Sequence, residues 1–338
     1  MASDFRLKEV FGNIQYDVEA LVKEMDLSKL TDNEKLYSDL NVRIKTKGKG
    51  KKIDSLNSET NLNIYQSSFL GHPVNSMDAT VTYDNQNYEF SGLHLNTPFA
   101  SLSADGKGNI EQSNHLSFSI EAKDIAPLMK AIDQPGISFT GSVEGNVQGP
   151  KDSLNINLRY DLADLSYDTI AVDHLNGKGD FLFGDSLQFA QTDFSAETLA
   201  VDSNVFDKLH VEALYKSNQI DSRINLQKHD SLSLFMDSRM AIKKDIAIHL
   251  NELELNAWKH RWKSGSDSTY VVMAEDSILI NHLNFSSGEQ SLNVHGTFAF
   301  KGDENLEVKL ENIDFAGLTN IAELKSDIRG KLNGKLSL

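Results

Sequence analysis

Alternation with period two runs through nearly the whole chain and limits its possible folds more than any other feature. Residues 153–162 read Ser-Leu-Asn-Ile-Asn-Leu-Arg-Tyr-Asp-Leu, ten positions without an error. The same pattern recurs at Leu40, Val42 and Ile44, at Leu116, Phe118 and Ile120, at Ile246, Ile248 and Leu250, and at Leu306, Val308 and Leu310. Side chains of a strand point alternately to opposite faces, so such a pattern gives one apolar face and one wet face. Strands buried on both faces would read as continuous apolar runs, so the pairing expected here is antiparallel, through short turns. About 18 to 22 strands of common length fit the chain. Turn signals stand at Asp84-Asn85-Gln86-Asn87, Asp105-Gly106, Ser287-Gly288-Glu289 and Lys301-Gly302-Asp303.

Helical periodicity is brief. Val18, Leu21, Val22 and Met25 fit one face of a short helix. Ile125, Leu128, Met129 and Ile132 fit a second, with Asp124 as N-cap and Pro127 in the first turn. Phe315, Leu318 and Ile321 fit a third behind Asp314. The expected fold class is therefore mainly β, with about three short helices. A weak repeat of strand, short helix and glycine-spaced strand links residues 116–120, Asp124 and Gly141, Gly145 and Gly149 with residues 306–310, Asp314 and Gly330 and Gly334. A degenerate copy starts at Asp26. The units expected are about 1–115, 116–305 and 306–338, within one repetitive segment of a longer protein. Residues 1–3 read as a cloning scar. Gly141, Gly145 and Gly149 share a side with Phe139, Val143 and Val147, where they relieve crowding.

Composition narrows the function classes. With 33 basic and 49 acidic residues the net charge is −16, which speaks against a nucleic-acid surface. There is no cysteine, so thiol catalysis, thiolate metal sites and disulfides are excluded. No apolar run approaches the roughly 20 residues of a membrane helix. The ten histidines are scattered without metal-ligand spacing and read as strand-face residues. Gly-Lys-Gly, starting at Gly48, Gly106 and Gly177, lacks the strand–loop–helix context of a phosphate cradle and reads as turn or bulge glycine. Acid pairs such as Asp161 with Asp164 and Asp202 with Asp207 read as solvated faces. Trp258, His260 and Trp262 fall on one side of a strand, the alternative being an aromatic-basic helical ridge. Nothing nominates a catalyst, a metal or a cofactor, and the chain reads as a non-enzyme.

The combination of strand, Asp-containing short helix, glycine-spaced strand and a Gly149-Pro150-Lys151 step before Leu154 resembles the repeated unit of the TamB and AsmA-like family. So does Trp258-Lys259-His260-Arg261-Trp262, followed by Ser277 to Leu283 and by Gly288-Glu289-Gln290-Ser291-Leu292-Asn293-Val294-His295-Gly296, a tract similar to TamB-like proteins of Bacteroidetes type. The similarity spans most of the chain, and it is the co-occurrence of these motifs that is specific. It implies an elongated, U-shaped antiparallel β-trough, the β-taco, within an inner-membrane-anchored protein of the Gram-negative periplasm. The apolar inner face would carry phospholipid acyl chains toward the outer membrane. A BamA/TamA-type outer-membrane barrel would be a partner, through regions outside this segment.

The physical pattern agrees with that expectation. A one-layer sheet with an apolar face must curl, pack on helices or hold a ligand, because large exposed apolar patches are rarely tolerated. The lining residues expected from alternation and repeat are Leu40, Val42, Ile44, Phe118, Ile120, Phe139, Val143, Val147, Leu154, Ile156, Leu158, Val294 and Phe298. Each buried methylene of hydrocarbon there would contribute about 0.8 kcal/mol. Two other readings stand beside this one. One is a scaffold or β-solenoid for outer-membrane protein assembly or adhesion, with a sealed dry core. The other, less favoured, is a polysaccharide-active β-helix.

Overall fold

A computed structural model describes residues 3–10, 13–50, 56–109, 112–150, 152–229, 232–257, 260–265, 269–300, 304–314 and 330–338. These residues form antiparallel β-structure almost throughout, as the alternation requires, in two compact units, Met1–Leu187 and Gln188–Leu338.

The first unit contains β1 (Ser3–Val10), β2 (Asn13–Met25), β3 (Ser38–Lys49), β4 (Asn57–Ile64), β5 (Ser67–Phe69), β6 (His72–Val74), β7 (Ser76–Asp84), β8 (Asn87–Asn96), β9 (Ala100–Asn109), β10 (Asn114–Ala122), β11 (Ile137–Gly149), β12 (Leu154–Tyr167) and β13 (Ile170–Phe183). Each strand pairs with the next, except that β4 pairs directly with β7 while the β5–β6 hairpin folds onto the start of β3. Helix α1 (Leu27–Thr31) and a 3-10 turn, Glu34–Leu36, join β2 to β3, and helix α2 (Ala126–Ala131) joins β10 to β11.

The second unit contains β14 (Leu187–Val201), β15 (Asn204–Lys216), β16 (Gln219–Lys228), β17 (Leu232–Ile242), β18 (Ile246–Ala257), β19 (His260–Ser264), β20 (Thr269–Met273), β21 (Ser277–Ser287), β22 (Gln290–Ala299), β23 (Asn305–Asp314) and β24 (Lys331–Ser337). It is again a meander. One strand position is shared: β19 pairs with the C-terminal half of β18 and β20 with its N-terminal half.

The alternation breaks at particular places, and the breaks are β-bulges. Register shifts fall between Val22 and Met25 on β2, Phe90 and Leu93 on β8, Ile280 and Leu283 on β21, and Leu310 and Ile313 on β23. Two further shifts put an extra residue on β12, opposite Ser138–Thr140, and on β18, opposite Asp237–Ser238. In every case the apolar sequence steps by three instead of two: Val22 to Met25, Phe90 to Leu93, Leu162 to Leu165, Leu250 to Leu253, Ile280 to Leu283, and Leu310 to Ile313. The extra residue returns the next apolar side chain to the face it would otherwise leave. Glu24, Gly92, Asp164, His282 and Asn312 take positive φ at these steps, between 51° and 62°. Within each unit all the bulged strands run in the same direction, because an even number of antiparallel steps separates them. A bulge bends its strand and increases its local twist.

This geometry corrects one expected helix. Val18, Leu21, Val22 and Met25 lie in β2, paired to β3, and the spacing that imitated a helical face is the bulge at Glu24. The helix follows immediately, capped by Asp26, whose carboxylate accepts the Ser28 N–H at 3.1 Å. The second expected helix is α2, with Pro127 in its first turn. Asp124 accepts the Ala126 N–H at 3.1 Å, but by backbone angles the cap is Ile125, one residue later. The third, at Phe315–Ile321 by sequence, lies outside the described residues, as does the Lys301–Asp303 turn signal.

The turn signals at Asp84–Asn87 and Ser287–Glu289 sit at hairpin turns. Asp105-Gly106 does not: both residues are mid-strand in β9. The three Gly-Lys-Gly copies likewise lie in or at the end of β3, β9 and β13 rather than in turns or at bulges. At Gly48, Gly106 and Gly108 the reason is cross-strand side chains that need the space.

Candidate functional site: an apolar face laid out in rungs

Residues paired across antiparallel strands place their side chains on the same face, so the registers can be read as rungs across the sheet. In the first unit one rung runs Leu95, Leu102, Ile120, Val143, Tyr160, Gly177. The next runs Leu93, Ala104, Phe118, Gly145, Leu158, Gly179, and a third runs Phe90, Gly106, Leu116, Val147, Ile156, Phe181. Leu154 pairs with Phe183 in the rung beyond. Seven of the expected lining residues thus come together: Phe118, Ile120, Val143, Val147, Leu154, Ile156 and Leu158.

Glycine explains how such rungs pack. A Cβ on Gly106 would stand 2.6 Å from the Phe90 ring, and one on Gly145 would stand 2.7 Å from both Phe118 and Leu158. The Tyr16 ring lies over Gly48 in the same way, across β2 and β3. Large flat side chains rest on neighbouring glycines, so the apolar face is laid with rings on bare backbone. Sequence reasoning saw the glycine spacing but missed Phe90, Tyr160 and Phe181. The signal that could have found Phe90 and Tyr160 is an aromatic residue on the strand facing a glycine, Gly106 and Gly177 respectively; Phe181 faces Ile156 and carries no such signal.

Coverage differs along the first unit. Leu40 and Val42 are buried, 6% and 8% exposed, in a core cluster with Val74. Val22, Met25, Leu27, Ile44, Ile64, Phe69 and Leu95 pack around it. The chain itself therefore closes that flank, through α1 and the β5–β6 hairpin, and Leu40, Val42 and Ile44 belong to this core. Phe99 and Ile125, 5% and 3% exposed, are buried beside the connections to β9 and α2. By contrast Leu116, Phe118, Ile120, Val143, Val147, Leu154, Ile156 and Leu158 are only half-buried. Phe139 stands opposite the β12 bulge, also half-buried.

The second unit repeats the plan. One rung runs Phe194, Val211, Ile224, Met236, Leu253, and another runs Ala196, Leu209, Leu226, Leu234, Leu255, Trp262. Trp262 is 8% exposed and stacks on Phe285 at 5.8 Å between ring centroids, in strand conformation as expected; Trp258 lies outside the described residues. Val294 lies in the rung Leu283, Val294, Val308, Leu336. Phe298 lies with Ile242, Ile246, Met273 and Ile278 at a rim where Ile242, Met273 and Phe298 are exposed. Val294 and Phe298 therefore belong to the second unit's own apolar face.

The opposite face carries cross-strand charge. The Arg223 Nε donates to Asp237 at 3.0 Å and the Arg239 Nε donates to Asp221 at 2.6 Å. The Asn251 amide, with Arg223, holds the Asp237 carboxyl below its ordinary value. Glu254 accepts both Arg261 Nε and Nη2, at 2.5 and 2.7 Å, and Lys263 approaches within 3.0 Å. The Arg261 fork, with Lys263 and Asn256, lowers its pKa to about 2 despite the opposing effect of burial. His174 meets Asp161 at 2.7 Å and His229 lies 3.9 Å from Asp207. Among the described residues no group of three or more potential metal ligands converges. No described helix is long and apolar enough to cross a membrane.

Comparison with known proteins gives one match that spans nearly the whole chain. The family model described as TamB, N-terminal domain, fits residues 13–338. No curated protein and no solved structure shows significant similarity. With strand plan and family model in agreement, the chain belongs to the TamB N-terminal domain family.

Proposed function

We propose that this chain is a non-enzymatic conduit segment that holds phospholipid acyl chains along its apolar face in the periplasm, between inner and outer membranes. One observation carries the reading: the rungs from β8 to β13 are apolar across six strands and their large side chains on β10 to β12 stay half-buried, while the face behind them is polar. Hydrocarbon is the partner that suits such a surface, since it needs no hydrogen bonds and gains about 25 cal/mol per Å² removed from water. A sealed-core solenoid would need side chains like Ile156 and Leu158 closed over as Leu40 and Val42 are. Cooperation with a BamA/TamA-type barrel belongs to the same proposal and rests on the family.

The test uses position-specific photocrosslinking in cells. A photoreactive residue at Ile156, on the apolar face, should capture phospholipid. The same residue at neighbouring Asn157, on the polar face, should not. Equal capture at both positions, or none at Ile156 together with lipid-free purified protein, overturns the proposal.

A further inference from the structure

The polar face of the second unit contains a hollow with its own chemistry. It has a volume of about 540 Å³ and lies across β14 to β18. Two adjacent rungs form its floor, one carrying Asn225, Phe235 and Glu254, the other Lys208 and Gln227. At its far end Arg261 and Lys263 pin Glu254, the carboxylate already described.

Three observations define what would fit. Neither Asn225 nor Gln227 makes a side-chain hydrogen bond among the described residues, and Lys208 has no ion-pair partner there. Each amide offers both donor and acceptor, the pattern that meets hydroxyl groups. Phe235 stands directly opposite Asn225, a phenyl ring among amides and hydroxyls. Finally, the charge is close to balanced: Glu197 stands opposite Lys208 in the register of β14 and β15, and Glu254 is held by Arg261 and Lys263 from beside the hollow, in a chain of net charge −16.

We infer that this hollow binds a pyranose oligosaccharide, its C–H face against Phe235 and its hydroxyls on Asn225, Gln227 and Lys208. An extended peptide suits the surface less well. The sheet's own N–H and C=O groups are committed to its ladders, so a peptide laid across it would leave its backbone groups poorly paired. A sugar has its polar groups around the ring and apolar C–H bonds on its faces, which matches side-chain amides around one phenyl ring. The inference is independent of the apolar face on the other side of the sheet.

Isothermal titration of the intact chain with cellotetraose and chitotetraose tests it. At least one should bind saturably. Phe235→Ala should weaken that binding by about tenfold or more, equivalent to about 1.4 kcal/mol, and Phe235→Tyr should retain it. Asn225→Ala should weaken it with the thermal unfolding midpoint unchanged. Failure of both sugars to bind folded wild-type protein, or unaltered binding by Phe235→Ala, overturns the inference.

Discussion

Phe118 and Gly145 face each other across β10 and β11, and a Cβ on Gly145 would come within 2.7 Å of the Phe118 Cζ. The ring occupies the room that glycine leaves, with Leu158 pressing from the other neighbouring strand. This one contact shows how the apolar face is packed, with an aromatic ring over bare backbone.

Gly145→Val should therefore destabilise the protein by about 1–3 kcal/mol, the usual range for overpacking. Gly334→Ala, where nothing lies within 4 Å of the added carbon, should change stability by less than about 0.5 kcal/mol. Urea unfolding of both variants checks the contrast, and equal effects would refute the packing account.

Leu40→Ala should cost about 2–5 kcal/mol, because Leu40 is 6% exposed inside a closed cluster. Ile156→Ala should cost clearly less in the lipid-free protein, since Ile156 is half-buried. Chemical denaturation after delipidation measures both. A loss at Ile156 as large as that at Leu40 would mean that the face is roofed by the chain.

Asp164 sits at φ 52° in the β12 bulge. Asp164→Gly should leave stability unchanged or raise it slightly, and Asp164→Val should lower it by about 1–2 kcal/mol, the penalty of a left-handed backbone for an ordinary side chain. Unfolding free energies from urea titration of the two variants should differ by about that amount, and equal values would refute the strain account.

The Glu254 pKa lies below its unfolded value of 4.5, at about 2. Its contribution to stability is fully present above pH 4.5 and is lost as pH falls through the folded value. Glu254→Gln should be less stable than wild type at about pH 6, and the gap should narrow as pH falls from 4.5 to about 2. Urea melts of the two proteins across that range give the difference directly, free of the other carboxylates. A gap independent of pH would exclude the Arg261 fork as its source.

Much of this fold is legible in the sequence. Period two at residues 153–162 is enough to make β12 and to assign its faces, because alternation along a strand is a local property. The short-range bonds of Asp26 and Asp124 are local too, since each carboxylate finds an N–H group only two residues on, although the backbone places the cap of α2 at Ile125. The apolar step from Val22 to Met25 was just as visible, but by itself it fits a helical face as well as a bulge. The register with β3, where Val22 meets Val42 and Met25 meets Leu40, decides between them.

The sequence by itself determined that the chain forms antiparallel strands with one apolar and one polar face, since that depends only on neighbours along the chain. The tertiary structure alone decided three things: that the glycines of β9 and β11 hold aromatic rings, that α1 and the β5–β6 hairpin close over Leu40 and Val42, and that Ile156 and Leu158 stay half-open. Each depends on which strand lies alongside and what folds back across it. Those are distances between residues far apart in sequence, set by register and packing rather than by local pattern.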